Sequence, residues 1–387
     1  MAPIRVALVG LNAPPAGTPS GTNWAANGHL PCLLNSDKYK LVALQNSSAE
    51  RAAAAIKAYG LDAETKAYGS PEAVANDPGI DLVVSCIRVD RHAGSLVPAI
   101  TAGKDVFVEW PMEASRGKAQ ELADLAKAHN VRHVVGLQGR YNPLAGWIRA
   151  MIARGDIGKV ESSTFVGSAF GGASLPSPVD YFADKNVGGN SLTIVFSHSI
   201  EFLQQALGEV RSYKSLLVKQ YPTVAVFDPV SREVVDQRRP NNVPDQIVFD
   251  AVLSSGAVLS YKLAGQTACF PDGKPPSSPA KVPSMEWRIF GSAGQIRITS
   301  YDDMVNTWSL NHGKDLLRVE VYNAATDALT DVEPVADDFA HLPTPARNVA
   351  RLYEAFAAKD ENVWYPDFEY GVKKHEILEA MFRENDM

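Results

Sequence analysis

Short apolar runs alternate with helix-patterned segments through the first third of the chain, and this alternation limits the fold more than any other feature. Ile4 to Val9 is apolar and stops at Gly10. Lys40 to Gln45, Thr65 to Tyr68, Asp81 to Ile87, Asp105 to Val108 and Arg132 to Leu137 follow it, with helical stretches at Ala49 to Tyr59, Pro71 to Asn76, Ala93 to Ala102 and Ser115 to His129. Strands that read as unbroken apolar runs are covered on both faces, the situation of a parallel sheet. Strand and helix in alternation then make the crossovers right-handed and place all six strands in one sheet. Ligands of such sheets gather outside the carboxyl ends of the strands. There the chain puts Gly10, Asn46-Ser47-Ser48, the polar run Arg88 to His92, and Glu109-Trp110-Pro111. Proline restricts the residue before it, so Trp110 is expected to be extended and presented at that edge, where whatever binds meets Glu109 and Trp110.

Beyond Gln138-Gly139-Arg140 the pattern changes. One helix, Pro143 to Arg154, precedes segments of period two at Val160 to Ser168, Arg211 to Lys219, Gln246 to Leu253, Val258 to Leu263, Glu286 to Phe290, Gln295 to Ile298 and Leu316 to Val321. Such segments with Ser-Gly and Asn-His-Gly turns describe a largely antiparallel sheet. Gly171 to Pro178 and Cys269 to Pro283 read as loops, and helices return at Pro345 to Ala358 and Phe368 to Phe382. A chain of 387 residues also exceeds what one core usually serves. The expected fold is therefore α/β followed by α+β. Residues 1–140 form a doubly wound parallel sheet, and residues 141–387 a domain with a large, mostly antiparallel open sheet, the C-terminal helices being free to pack back on the first domain.

The first turn has the ingredients of a dinucleotide-binding unit in altered form. Gly10 serves as the first glycine of G-x-G-x-x-G, Asn12 replaces the second, and Ala26 stands in for the third, the turn being about eleven residues longer than the motif. The helix is expected to start near Trp24. After the second strand no acid precedes Glu50, where a carboxylate usually binds the ribose 2′-hydroxyl; Ser47, Ser48 and Arg51 suit a 2′-phosphate, which favours NADP over NAD. The alternative makes Ser48 a helix N-cap and Arg51 a solvated helix residue. His92 reads equally as a capping residue or as a neighbour of the nicotinamide.

Composition removes several classes of function. A net charge of -7 without a Lys/Arg-rich run argues against nucleic acid as a direct partner. Cys32, Cys86 and Cys269 are three, far apart and without metal-ligand spacing, and read as reduced thiols in a cytoplasmic protein that holds no metal. No stretch approaches the length of a membrane span, and no secretion signal is expected.

Together the VALVG start with His29-Leu30-Pro31, DLVVSCI followed by His92, AGKDVFVEWPM, GLQGRYNP leading to GDIGKV, Gly188-Gly189-Asn190 with His198 behind it, and FGSAGQIRI resemble the Gfo/Idh/MocA oxidoreductases over almost the whole chain. The resemblance implies a Rossmann domain plus an open sheet often used for dimerisation, hence a homodimer. Two departures stand out. Trp110 occupies the place of the family's lysine in Glu-Lys-Pro, and Ile194 that of an aspartate four residues before the retained His198. Both substitutions resemble the fungal galactose-regulon repressors, which bind a transcription activator and use a dinucleotide as a ligand.

These readings nominate His198 as proton donor, with Trp110 and Glu109 at the nicotinamide and Tyr181, Lys185 or Arg140 in reserve. Gly10, Leu11, Asn12, Trp24, Ser47, Ser48, Arg51, Ile87, Arg88, His92, Glu109, Trp110, Gln138 and Arg140 are nominated for the dinucleotide. The expected activity is NADP-dependent hydride transfer to a small carbonyl, imine or enone. The alternative is a catalytically silent, dinucleotide-binding co-regulator with a protein partner.

Overall fold

A computed structural model describes residues 2–14, 23–169, 171–265, 282–302, 304–306, 308–333, 336–360 and 362–387. Most of the insertion after Asn12, and the expected loop from Cys269 up to residue 281, lie outside the described residues. The chain divides into two units, the first made of Met1–Leu137, Asn186–Gly189 and His341–Glu379, the second of Gln138–Lys185, Asn190–Ala340 and Ala380–Met387.

In the first unit β1 (Ile4–Val9), β2 (Tyr39–Gln45), β3 (Lys66–Tyr68), β4 (Leu82–Ser85), β5 (Asp105–Glu109) and β6 (His133–Gly136) pair in parallel in the order β3-β2-β1-β4-β5-β6. The order reverses between β1 and β4, which opens a crevice at the carboxyl ends of these two strands. The strands are covered on both faces, as their apolar runs require: Val6 to Val9, Leu82 to Val84 and Val106 to Val108 are all buried. The helical run after β1 begins at Trp24, passes through a π-helical turn at Ala25–His29 and continues as α1 (Leu30–Asn35). The crossovers α2 (Ala49–Ala58), α3 (Pro71–Ala75), α4 (His92–Thr101) and α5 (Arg116–Ala128) complete the layers. Ser48, Ser70 and Ser115 cap α2, α3 and α5 by accepting the amide three residues on.

In the second unit α6 (Pro143–Arg154) is capped by Asn142 and ended by Gly155 at φ +80°. Then come β7 (Val160–Ala169), β8 (Ser174–Pro176), a π-helical turn Ser191–Phe196 running into α7 (Ser197–Leu207), β9 (Val210–Val218), β10 (Thr223–Phe227) and β11 (Val234–Pro240). The remaining strands are β12 (Gln246–Leu253), β13 (Val258–Gly265), β14 (Met285–Gly291), β15 (Gly294–Ser300), β16 (Leu317–Asn323) and β17 (Ala328–Val332). Eight of them form the large sheet, β17-β16-β15-β14-β7-β13-β12-β9, antiparallel except for β7 against β13. Inward residues alternate along β7, β12, β13 and β14 and meet α7 and the turn before it, Phe202 lying against Phe165 and Trp287, and Phe196 against Tyr261 and Phe249. The outward residues include the charged series Arg297, Glu286, Arg318 and Glu320, and the exposed Val166, Leu216 and Val258.

A second small sheet, β11-β10-β8, was not foreseen, nor was β17. Their sequences carry little periodicity. β8 is three residues inside the stretch expected to be a loop, and β17 is exposed along nearly its whole length.

The C-terminal helices α8 (Ala346–Ala357) and α9 (Phe368–Glu384) return to the first unit, which contains α9 as far as Glu379. Tyr353 on α8 reaches Nδ1 of His29 at 2.8 Å, and His29 Nε2 lies 2.8 Å from Oε1 of Glu109 at the end of β5. Tyr39 donates to the Tyr353 carbonyl at 2.7 Å, and the Arg132 guanidinium lies 4.0 Å above the Phe356 ring. On α9, burial pushes His375 down to about 3.

Two stability predictions follow from this packing. His29→Leu strands a buried carboxyl group and is expected to cost about 3 to 5 kcal/mol, whereas Tyr353→Phe, which removes one hydroxyl, should cost about 1 kcal/mol. Urea unfolding of the two variants checks the ordering. His375 binds a proton in the unfolded chain below its ordinary value of 6.5 but in the folded protein only near 3. Its contribution is therefore intact above pH 6.5 and lost as the pH falls, by up to about 1.4 kcal/mol per unit. His375→Phe should flatten the fall in urea midpoint between pH 6.5 and 5; an unchanged slope would contradict the assignment.

Candidate functional site

The crevice of the first unit is built around Gly10. Its φ of +98° belongs to glycine, and a Cβ here would lie 2.2 Å from the Cys86 carbonyl oxygen and 2.7 Å from Ile87 Cγ2. The turn after β1 can therefore press against the turn after β4 only without a side chain. Leu11 beside it is buried, and its carbonyl accepts from Asn46 Nδ2 at 2.9 Å. Asn12 and Asn23, at the two ends of the insertion, are tied by Asn23 Nδ2 donating to the Asn12 carbonyl at 3.0 Å, with Tyr59 adding its hydroxyl at 3.2 Å. Trp24 opens the helix, and Gly28 one turn on makes room for the indole, since a Cβ there would come within 2.9 Å of it. This arrangement suits a pyrophosphate: a glycine turn stands at the switch point, and the next described element begins a helix at Trp24.

At the end of β2, Ser48 accepts from the Arg51 amide at 3.3 Å, so its hydroxyl serves as the N-cap of α2; Ser47 and Arg51 are exposed. Asn46 stands directly after the strand, where an acid would meet a ribose. The sequence reading placed Asn46 at this strand end but did not nominate it for the dinucleotide.

The loops after β4 and β5 are sewn together by His92 and Glu113. His92 is buried, with Nε2 3.0 Å from the Ile87 carbonyl and Nδ1 3.2 Å from the Met112 carbonyl. Burial pushes it below its ordinary value even though both carbonyls pull the other way. A neutral imidazole has one N–H, so it donates to one carbonyl at a time. Glu113 accepts from the amides of Ala93 at 2.5 Å and Ala114 at 3.2 Å, placing a carboxyl group at the N-terminus of α4, and burial raises its pKa. Gly188 belongs to this unit and wedges between the same loops, where a Cβ would meet Ala114 Cα at 2.6 Å and Val89 Cγ1 at 3.1 Å. Arg88 is engaged by the Asp90 carboxylate at 2.6 and 2.7 Å.

Trp110 departs from expectation. It is 4% exposed, its peptide with Pro111 is cis, and its ring lies 4.7 Å from that of His375 on α9. It is thus covered and not presented at an open edge. The covering residue comes from 265 positions further on (375 − 110), which no local pattern could reveal. Glu109 is 7% exposed and points at His29, in space left by Gly136, where a Cβ would sit 2.7 Å from Oε1. His29, Tyr353 and His375 were missed as members of this region because their partners are remote in sequence, and Glu113 was missed although its partners Ala93 and Ala114 are nearer.

The second unit holds the other nominated residues. His198 on α7 is 3% exposed, and its carbonyl oxygen would lie 2.5 Å from a Cβ at Gly139. Arg140 faces the buried Glu201 at 3.4 Å and is also paired with Glu209. Gln138 is buried, and its Oε1 has no hydrogen-bond partner among the described residues. Tyr181 packs on Phe182 with ring centroids 5.3 Å apart. Lys185 takes its amide to Asn242 Oδ1 at 2.6 Å and holds its ammonium 5.5 Å over the Phe382 ring. Among the described residues no cluster of His, Cys, Asp or Glu could hold a metal ion, and no helix is long and apolar enough to cross a membrane. Cys32 and Cys86 are free thiols.

Residues 4–137 match the family model of the Gfo/Idh/MocA oxidoreductases, an NAD-binding Rossmann fold, and residues 143–300 match that of the Gal80p C-terminal domain. The dehydrogenase aclE of Aspergillus oryzae is 28% identical over 303 residues, 78% of either chain. The galactose/lactose metabolism regulatory protein GAL80 of Saccharomyces cerevisiae is 26% identical over 98% of this chain and 86% of its own. In structure, a super-repressor mutant of Gal80p from Saccharomyces cerevisiae superposes with a TM-score of 0.80 at 22% identity, covering 100% of this chain and 96% of that one. Levoglucosan dehydrogenase in complex with NADH and levoglucosan gives 0.71 at 18% identity, over 99% and 97%. The first unit is thus similar to the Gfo/Idh/MocA oxidoreductases and the second to the Gal80p C-terminal domain, as the resemblance read from the sequence implies.

Proposed function

We propose that the protein is an NADP-dependent oxidoreductase acting on a small carbonyl, imine or enone. The observation that carries this reading is the glycine turn at Gly10, set where the strand order reverses between β1 and β4. In this reading residues 1–140 supply the dinucleotide domain and 141–387 the substrate and dimerisation domain. A bound nicotinamide supplies or takes the hydride. The chain's own part is to hold the dinucleotide and to manage the proton. Gly10, Leu11, Asn12 and Trp24 take the pyrophosphate end. Ser47 and Arg51 take a 2′-phosphate, a choice supported by the absence of an acid between β2 and Glu50. His198 gives its proton to the oxygen or nitrogen of the double bond being reduced, and takes it back in the reverse direction. Such assistance is typically worth about 10² to 10⁴ in rate.

A second reading, a dinucleotide-binding regulator with a protein partner, is supported by Trp110. The indole at the family lysine's position is sealed against a neutral, buried His375, so no proton passes there. In either reading we propose a cytoplasmic homodimer joined through the large sheet, whose outward face carries the exposed Val166, Leu216 and Val258.

Fluorescence titration with NADPH and NADH, followed by a panel of carbonyl and imine acceptors, separates the two. NADPH binding with turnover that falls at least about 100-fold in His198→Ala supports the enzyme. Binding without turnover on any acceptor favours the regulator. Arg51→Ala should weaken NADPH about tenfold, the size of a lost charge-assisted hydrogen bond, and leave NADH nearly unchanged. Equal losses for the two coenzymes would remove the 2′-phosphate assignment.

A further inference from the structure

The two edges of the large sheet in the second unit are finished differently. On β9, Asn385 covers the outer side: its Oδ1 accepts from the Leu217 amide at 3.0 Å, and its Nδ2 donates to Ser215 Oγ at 3.0 Å. The opposite edge is β17, whose ladder to β16 runs without a register shift from Val319↔Val332 to Asn323↔Ala328. Its five residues include neither lysine nor proline, and Ala328 to Asp331 are all exposed. Among the described residues no backbone hydrogen bond reaches the far side of this strand. Soluble proteins blunt a free edge with a bulge, a lysine, a proline or a cover. Among the described residues β17 has none of these, so its backbone is a template for one more strand.

The charge along this edge has one sign. Leu329 and Asp331 stand opposite Tyr322 and Glu320 on the outward face, while Ala328, Thr330 and Val332 project from the other. Asp327 precedes the strand and accepts from the Tyr322 hydroxyl at 3.0 Å, and Glu333 follows it. Arg318 answers Asp331 at 3.1 and 3.3 Å, but from Val319 to Ala346 the chain has no Lys or Arg. A second copy of the strand is a poor occupant. Paired antiparallel about Thr330 it sets Asp327 of each chain against Glu333 of the other, and about Leu329 it sets Asp327 against Asp331. Like charges directly opposite one another destabilise a strand pair. The complement of this edge is a strand that carries cations.

We propose that β17 is a docking edge for an extended segment of a partner protein, with Lys or Arg at alternate positions. Main-chain hydrogen bonds to the free side of β17 hold the segment, and the alternation selects it. Its cations lie on the outward face beside Asp327, Asp331 and Glu333, and its small or β-branched residues lie beside Ala328 and Thr330. The exposed Val166, Leu216 and Val258 belong to β7, β9 and β13, which β14, β15 and β16 separate from this edge. The docking edge is thus a different surface from the face assigned above to the homodimer. It depends on neither reading of the dinucleotide domain.

The test titrates the full chain into the labelled peptide Lys-Thr-Lys-Val-Lys-Thr-Lys by fluorescence anisotropy, at about 50 mM salt, where surface charges are only partly screened. Two further peptides keep the charge and are N-methylated, one at the lysine amides and one at the threonine and valine amides. The expected result is binding of the first peptide and a loss of at least about tenfold in one or both methylated forms, since each lacks the amide donors of one strand side. Asp327→Asn/Glu333→Lys should weaken the first peptide about fivefold or more. Glu72→Gln/Glu121→Lys, which changes the net charge equally in the first unit, should not. Circular dichroism and thermal melting establish that the variants are folded; if the edge variant is not, Glu333→Lys alone takes its place. Failure of the first peptide to bind, indifference to both methylations, or equal losses in the two variants overturns the proposal. So does sedimentation showing that the edge variant, without peptide, changes the protein's own state of association, because a second copy then occupies the strand.

Discussion

In the first unit the buried contact of His29 with Glu109 and Tyr353 joins three parts of the chain that lie far apart in sequence. One is the helix that follows β1, one the end of β5 and one the C-terminal helix α8. With the proton on Nε2, the imidazole donates to Glu109 and accepts from the Tyr353 hydroxyl, so each polar atom in the line has its complement. That matters because His29 is fully buried and Glu109 nearly so, and an unmatched polar group at such depth costs more than the matched one gains. Gly136 on β6 and the edge-on contact of His29 with Phe107 complete the enclosure. The residue with which β5 ends is therefore oriented by α8, added to the sheet more than 200 residues later along the chain (353 − 109 = 244).

The loop that follows inherits this fixity. Glu113 closes the N-terminus of α4, His92 bridges to the turn after β4, Gly188 fills the gap between Val89 and Ala114, and Trp110 rests on His375. A lysine in the place of Trp110 would bring an ammonium group that must stay hydrated or find an anion. An indole is stabilised by cover, and the neutral imidazole of α9 provides it. The indole of Trp110 is thus matched by what the loop packs against. Ile194 in the second unit follows the same logic, since its neighbours Val179, Tyr181 and Tyr221 are those of an apolar side chain. Both side chains serve packing where they stand.

Much of this architecture was legible in order along the chain. The parallel sheet could be read because buried strands must be apolar throughout, and the change to antiparallel pairing because a sheet lying on α7 must alternate. The late start of the helix at Trp24 is local and was equally visible, and the cap at Ser48 stood as the alternative to a phosphate contact. The small sheet was not, since β8 has three residues and β11 is largely exposed, although β10 is an apolar run that offered a usable signal. Within the site the division is sharper. Gly10, His92 and Glu109 were picked out by position at strand ends, but what their side chains touch was decided by Tyr353, Met112, His29 and Gly136.

The sequence by itself determined a parallel sheet of the dinucleotide type followed by a mostly antiparallel one, and the residues standing at the carboxyl ends, because these depend on periodicity and on turns within a few residues. The tertiary structure alone decided that Trp110 is covered, that Glu109 is held by His29 and that Ile194 packs on an apolar cluster. Burial and hydrogen-bond pairing are properties of neighbours in space, and here those neighbours arrive from helices and strands far along the chain.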